Sequence, residues 1–252
     1  MGRTELMLQL SYKCNLNCIH CAYGDIRDSP MLTEPQIRAF LENNEPRLIK
    51  ISGGEPTICA VFEDAVKICK ETGAKVVAFT NGLARPKVHP DYYWVSLFGG
   101  EETHNRITQS KTFDRVMEFI RRYPVEYLNS PIFSKSQMQE LQSISDRLGI
   151  PLRVTRLLPH GTPHETLSLE EQRRIVRELG LNKEPNWVTC SLGFEPPRCD
   201  QKMCIKPDGK LVVCTHIIRG LKCPFMKIEG RQVESEQRAL QARFRKDTGA
   251  NT

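Results

Sequence analysis

Residues 7–24 read MLQLSYKCNLNCIHCAYG, a short apolar segment running directly into a polar, glycine-poor loop with three cysteines. The same grammar recurs along the chain. Apolar, β-branched segments at residues 7–10, 48–52, 75–80, 94–97, 125–133 and 152–158 are each short enough for a buried strand. The loops SYKCN, SGGEP, TNG and SLFGG follow four of them. Helical stretches lie between, with Thr33 and Gln36, and Ser168 and Glu171, spaced as capping boxes, and with Gly73, Gly149 and Gly180 at helix stops. Parallel neighbours cannot be joined by a tight hairpin, so this alternation predicts an α/β fold with a parallel sheet and crossover helices. An open sheet and a barrel both satisfy it, and both gather ligands at the C-terminal ends of strands.

The chain has 252 residues, 39% of them hydrophobic, enough for one sizeable core and a small appended module. No run approaches the roughly 18 apolar residues of a membrane span, and the start MGRTELMLQL has no apolar run with a cleavage site. The ten cysteines are therefore expected in a reducing cytoplasm. A formal charge of +6 does not by itself imply nucleic acid, and the basic stretch 231–246 reads as a solvated tail. After Gly180 the pattern changes, with three prolines in residues 184–198 and a cysteine-dense segment up to Pro224. The expected divisions are 1–182, 183–230 and a polar helix or tail at 231–252.

Cys14, Cys18 and Cys21 have the spacing Cys-x3-Cys-x2-Cys. Three thiolates on such a loop can hold three corners of a cubane iron–sulfur cluster and leave the fourth iron open to a ligand. A structural zinc site would close its shell with four ligands, and His20, between two of the thiols, is badly placed to be the fourth. Packing cysteines seldom cluster in a loop.

This motif resembles the signature of the radical S-adenosylmethionine (SAM) superfamily, with His20 where an aromatic residue often stands. Gly53, Gly54, Glu55 and Pro56 after the second strand resemble the GGEP motif of that superfamily, which binds the amino group of SAM. Residues 80–82 resemble its TNG segment, and residues 95–116 a fourth-strand pattern usually written with SLDG followed by His and Arg, although Phe98 stands where many relatives have Asp. The resemblance implies a partial (β/α)6 TIM-type barrel, a [4Fe-4S] cluster on Cys14, Cys18 and Cys21, and SAM contacts from Gly53, Gly54, Glu55, Pro56, Asn81, Ser96 and Arg106. The bland readings stand beside these: Asn81 as a left-handed turn residue, Ser96 as strand filler and Arg106 as a surface cation. The implied chemistry is reductive cleavage of SAM to a 5′-deoxyadenosyl radical that abstracts hydrogen, with ferredoxin or flavodoxin as electron donor.

Cys190, Cys199, Cys204, Cys214 and Cys223 crowd the C-terminal segment. Pro207-Asp208-Gly209 is a turn signal, so residues 203–206 and 210–214 are expected as a hairpin returning Cys214 near Cys204. The run from Cys199 through Gly209 to Cys214 resembles the start of SPASM and Twitch extensions. That implies a small Twitch-like extension with one auxiliary [4Fe-4S] cluster on Cys199, Cys204, Cys214 and Cys223, with Cys190 as alternate. Tetrahedral zinc fits the same spacing. Cys69 is expected in the core, Cys59 is read conservatively as structural, and His160 lies after the sixth strand as a weaker substrate contact.

The leading expectation is an oxidoreductase or maturase acting on a peptide or small metabolite. A radical SAM tRNA-modifying enzyme and a non-catalytic zinc-binding module are the rivals, so nucleic acid stays open as a partner.

Overall fold

The strand Glu5–Gln9 (β1) buries Leu6 and Leu8 on one face and turns Glu5, Met7 and Gln9 to the other. That period of two runs through the architecture in the computed structural model, which describes residues 4–42, 44–158, 166–189, 192–194 and 202–212. The strands after β1 are Leu48–Ser52 (β2), Lys75–Thr80 (β3), Tyr92–Ser96 (β4), Val125–Pro131 (β5), Leu152–Thr155 (β6), Trp187–Val188 (β7), Lys202–Ile205 (β8) and Leu211–Val212 (β9). The helices are Glu34–Glu42 (α1), Phe62–Glu71 (α2), Glu101–Thr108 (α3), Phe113–Arg122 (α4), Lys135–Leu148 (α5) and Leu169–Glu178 (α6).

The strands form one sheet in the order β7-β6-β5-β4-β3-β2-β1-β8-β9. Every ladder is parallel except the β8–β9 hairpin. Helices make the crossovers between successive parallel strands from β1 to β7, except from β3 to β4, which residues 81–91 join without one. They cover one sheet face: Phe40 of α1, Phe62 and Val66 of α2, Phe119 of α4 and Leu141 of α5 join Leu6, Ile49, Val76 and Val95 in a single core. Ser168 accepts from the Glu171 amide while the Glu171 carboxylate accepts from Ser168, which is the expected capping box of α6. Gly149 ends α5 in the left-handed region.

The opposite sheet face folds in on itself. Lys50 of β2 places its Nζ 4.9 Å from the ring of Trp187 on β7, although five steps separate those strands in the sheet order. In a flat sheet, at about 4.8 Å per step, they would be roughly 24 Å apart. The sheet is therefore strongly curled, and its helix-free face is an interior. Glu5 pairs with Lys50 there, and Arg153 of β6 lies over Phe79, Trp94 and Trp187 at 4.9–5.1 Å. Burial pulls Lys50 down to about 8, an effect that its partner Glu5 opposes. This packed cluster of cations and rings fills the interior at the level of Lys50, Trp94 and Arg153.

The expected boundary near residue 182 is not a break in the sheet. β7 extends one edge from β6, and β8 pairs in parallel with β1, with Cys204 opposite Met7. The hairpin expected around Pro207 to Gly209 is present, with Cys204 opposite Val212, and residues 213 and 214 of its second strand lie outside the described residues.

Candidate functional site

The cysteine loop leaves β1 at the C-terminal end of the sheet and docks on the Gly-Gly-Glu-Pro loop leaving β2. The Gly54 amide donates to Ser11 O and the Glu55 amide to Lys13 O, both at 2.8 Å. The contact is too close for side chains. A Cβ on Gly53, which sits at φ +145°, would lie 2.2 Å from Ser11 O, and one on Gly54 would lie 2.3 Å from Lys13 O and 2.4 Å from Tyr12 O. These glycines thus let one backbone pass against another. Pattern reading suggested close approach to a ligand; the nearest neighbour is the cysteine loop itself.

Glu55 is 1% exposed and its carboxylate is held by the protein. Oε1 accepts from the Thr57 amide at 3.1 Å, the Thr57 hydroxyl and the Thr80 hydroxyl at 2.8 Å, and Oε2 accepts from the Asn81 amide at 2.6 Å. Burial pushes the carboxyl above its usual range, and these donors offset part of that. Asn81 continues the network: its Nδ2 donates to Asn15 Oδ1 at 2.7 Å and approaches Cys14 Sγ at 4.0 Å, while its Oδ1 accepts from the Leu83 amide. The left-handed residue of this turn is Gly82 rather than Asn81. Glu55 and Asn81 together fix the cysteine loop to the ends of β2 and β3.

Cys14, Cys18 and Cys21 are half-buried and form no disulfide. Burial raises Cys14, and burial with the neighbouring Cys14 and Cys21 pushes Cys18 up to about 12. Three soft donors thus crowd one poorly solvated loop, where their thiolates repel one another. A polynuclear cationic iron centre shares out that charge, so the donor set fits an iron–sulfur cluster. Among the described residues no three His, Cys, Asp or Glu side chains converge on a single metal-ion position.

Helix α3 braces the far side of the loop. The Ile19 amide donates to Ile107 O at 3.0 Å, and the His20 ring is held edge-on by Phe98 and Phe133 at 5.0 and 5.1 Å. Phe98 stacks on His104, which is 1% exposed. His104 Nδ1 accepts from the Phe98 amide and Nε2 meets Thr112 Oγ1, each at 3.3 Å. Burial pulls His104 down to about 4, so the ring is neutral. Glu140 of α5 accepts from the Gly100 amide at 2.8 Å and from the Thr103 hydroxyl, supplying the α3 N-terminus with the anion its exposed amides favour.

Beside His20, at the ends of β4, β5 and β6, lies a cavity of about 210 Å³. Ser96, Asn129, Thr155 and Arg156 supply its polar lining, and Phe98 and Leu157 part of its apolar lining. Ser96 therefore faces the cavity. Arg106 does not: it is exposed on α3, because the helix turns His104, Ile107 and Thr108 inward. Cys69 is in the core, and Cys59 Sγ lies 3.6 Å from Glu55 O. Cys204 lies buried in β8. Cys190, Cys199, Cys214, Cys223 and His160 fall outside the described residues.

Pattern reading missed His104, Glu140 and Arg156. His104 carried a signal in the residues after SLFGG. The other two are single polar residues whose roles arise only when α5 and β6 reach the site.

Residues 8–130 match the family model of the Radical SAM superfamily. The chain is 28% identical over 176 residues to the mycofactocin maturase MftC of Mycobacterium tuberculosis, a match covering 62% of this chain and 45% of that one. It is 22% identical over 216 residues to the putative glycyl-radical enzyme activating enzyme MJ1632 of Methanocaldococcus jannaschii, covering 78% and 84%. Among solved structures, SuiB of Streptococcus suis bound to its precursor peptide SuiA superposes with a TM-score of 0.71 at 17% identity, over 90% of this chain and 63% of that one. The chain thus spans about half the length of the maturase it matches.

Proposed function

We propose, from the premise that this chain is an enzyme carrying a radical SAM superfamily domain, that Cys14, Cys18 and Cys21 hold its SAM-binding [4Fe-4S] cluster. The observation that supports this most is the docking of the three-cysteine loop on Gly53 to Pro56 through paired backbone hydrogen bonds. In this reading the docked loop would hold the three-ligand centre beside the loop ends of β2 and β3. With SAM bound, the centre supplies reductive cleavage to a 5′-deoxyadenosyl radical that abstracts hydrogen from the substrate.

The residues of the chain do the positioning. Gly53, Gly54 and Pro56 shape the seat for the amino group of SAM; Glu55 sets the local negative charge and, with Asn81, anchors the cysteine loop. Ser96 faces the cavity as a ribose or carboxylate contact. The curled sheet is read as a partial (β/α)6 TIM-type barrel: its cation-and-ring cluster closes one end, leaving the strand ends near Cys14 to Cys21 for reactants and limiting water there. Arg106 keeps only a surface role in this reading.

The substrate is a peptide or small metabolite, and a maturase-type oxidoreductase is the favoured class, because relatives of this shape include a maturase and a protein solved with a precursor peptide. One auxiliary [4Fe-4S] cluster on Cys199, Cys204, Cys214 and Cys223, with Cys190 as alternate, belongs to a Twitch-like part of the chain. The hairpin supports that assignment, since it sets Val212, two residues before Cys214, opposite Cys204. A low-potential donor such as ferredoxin or flavodoxin supplies electrons in a reducing cytoplasm. Among the described residues no helix is long and apolar enough to cross a membrane.

The test is anaerobic reconstitution with iron and sulfide, then addition of reductant and SAM. Formation of 5′-deoxyadenosine, lost on Cys18→Ala, is expected. Stoichiometric zinc with no iron, no sulfide and no 5′-deoxyadenosine would sink the proposal.

A further inference from the structure

Among the described residues, no acidic side chain is paired with Arg156. Arg156 follows β6, is half-buried, and lines the cavity beside His20. Its Nε is buried without a hydrogen-bond partner. No Asp or Glu lines the cavity among the described residues. A second cation, Arg173, is close enough to oppose its charge, and burial with that repulsion pulls Arg156 below the usual guanidinium range. Arg173 itself is occupied, donating to Leu192 O at 2.7 Å and pairing with Glu170. The other cations of the interior also differ from Arg156: Lys50 pairs with Glu5, and Arg153 donates to Asn129 and stacks on three rings.

A half-desolvated guanidinium with a like charge nearby and, among the described residues, no anion facing it is stabilised by whatever carboxylate enters, and its planar fork matches that group with two parallel bonds. Thr155 and Asn129 beside it offer further polar contacts, while Phe98 and Leu157 accept an apolar neighbour.

We infer that Arg156 anchors a carboxylate of the substrate in this cavity. The inference rests on the SAM reading above. The amino and carboxylate groups of SAM share one carbon, so with the amino group at Gly53 to Pro56 the cofactor carboxylate stays close to that loop, none of whose residues lines this cavity. Ser96 admits the cofactor on the β4 side of the cavity while Arg156 stands on its β6 side, and the SAM-affinity measurement below separates the two carboxylates. The apolar lining places a short aliphatic or aromatic stretch next to the acid, which suits an acidic residue or a chain terminus of a peptide.

The experiment uses reconstituted holoenzyme with SAM bound and titrates three doubly matched peptides by calorimetry. These are acetyl-Ala-Glu-Ala-amide, acetyl-Ala-Gln-Ala-amide, and acetyl-Ala-Gln-Ala with a free C-terminus. At least one carboxylate peptide should bind about tenfold or more tighter than the neutral one, as a charge-assisted bidentate pair allows. Which one does so separates side chain from terminus. On Arg156→Gln the preference should fall below about twofold, with Arg156→Lys between, since lysine keeps the charge without the fork. Circular dichroism and iron content report whether each variant folds, and if the glutamine variant does not, the lysine variant carries the comparison. Equal response to all three peptides in the wild type, whether all bind or none does, overturns the inference. So does a preference that survives in both variants. A tenfold loss of SAM affinity in Arg156→Gln would assign the arginine to the cofactor instead. Failure of the wild type to bind or cleave SAM is read before any peptide is added, and it strikes the function rather than Arg156.

Discussion

One added methyl at residue 54 decides whether the cysteine loop can sit where it does. The Cβ of Gly54→Ala would stand 2.3 and 2.4 Å from two backbone carbonyl oxygens, Lys13 O and Tyr12 O, and backbone cannot swing aside as a flexible side chain would. Overpacking of this kind costs about 1–3 kcal/mol, and here it is relieved only by lifting the loop that bears Cys14. Gly54→Ala should therefore lower the urea midpoint and cut iron and sulfide per chain well below half of wild type. A variant that loads iron normally would show that the close approach is incidental. Glu55 carries a related lesson. Its motif suggested a ligand-facing acid, whereas its four donors show that much of its work is to hold Thr57, Thr80 and Asn81 in register.

Helix α3 works as a brace, and its acid sensitivity follows from His104. The ring is neutral in the fold, with burial drawing it from 6.5 to about 4, while the unfolded chain takes up a proton as pH falls below 6.5. The unfolded state then binds more protons, so stability drops as pH falls from about 6.5 to 4, with a slope of at most about 1.4 kcal/mol per pH unit. Urea midpoints between pH 7 and 4.5 should show an acid-side loss that is shallower in His104→Gln. Parallel slopes in the two proteins would remove His104 as the cause. At this level the sequence was informative where patterns are local. β2 and β3 match their expected bounds because LIKIS and KVVAFT are short, mainly apolar, β-branched segments, and the capping box of α6 lies within four residues. The brace was not legible, since Glu140 meets Gly100 across forty positions of sequence.

The curl of the sheet is the property that makes the cysteine loop, the cavity and Arg156 neighbours, and it could not be read from alternation alone, which permits a flat sheet equally. It is tied by side chains from distant strands: Lys50, Trp94, Arg153 and Trp187 come from β2, β4, β6 and β7. Removing the ring in Trp187→Ala deletes two cation–ring contacts and its packing on Trp94 at 5.2 Å, for an expected loss of about 2–4 kcal/mol in urea unfolding. A loss below about 0.5 kcal/mol, the range of ordinary surface changes, would mean that the curl is held elsewhere. The parallel placement of β8 beside β1 was likewise hidden, because a cysteine-rich tail does not announce which edge it will extend.

The most direct measurement is the electron paramagnetic resonance spectrum of the anaerobically reconstituted, reduced protein, recorded before and after SAM is added, with Cys14→Ala, Cys18→Ala and Cys21→Ala in parallel. A three-thiolate centre with an open iron seated against Gly53 to Pro56 should give a [4Fe-4S] signal in the wild type that changes form when SAM binds. Each cysteine variant should lose that response. A wild-type signal indifferent to SAM, or a response that persists unchanged in all three variants, would contradict the assignment of Cys14, Cys18 and Cys21.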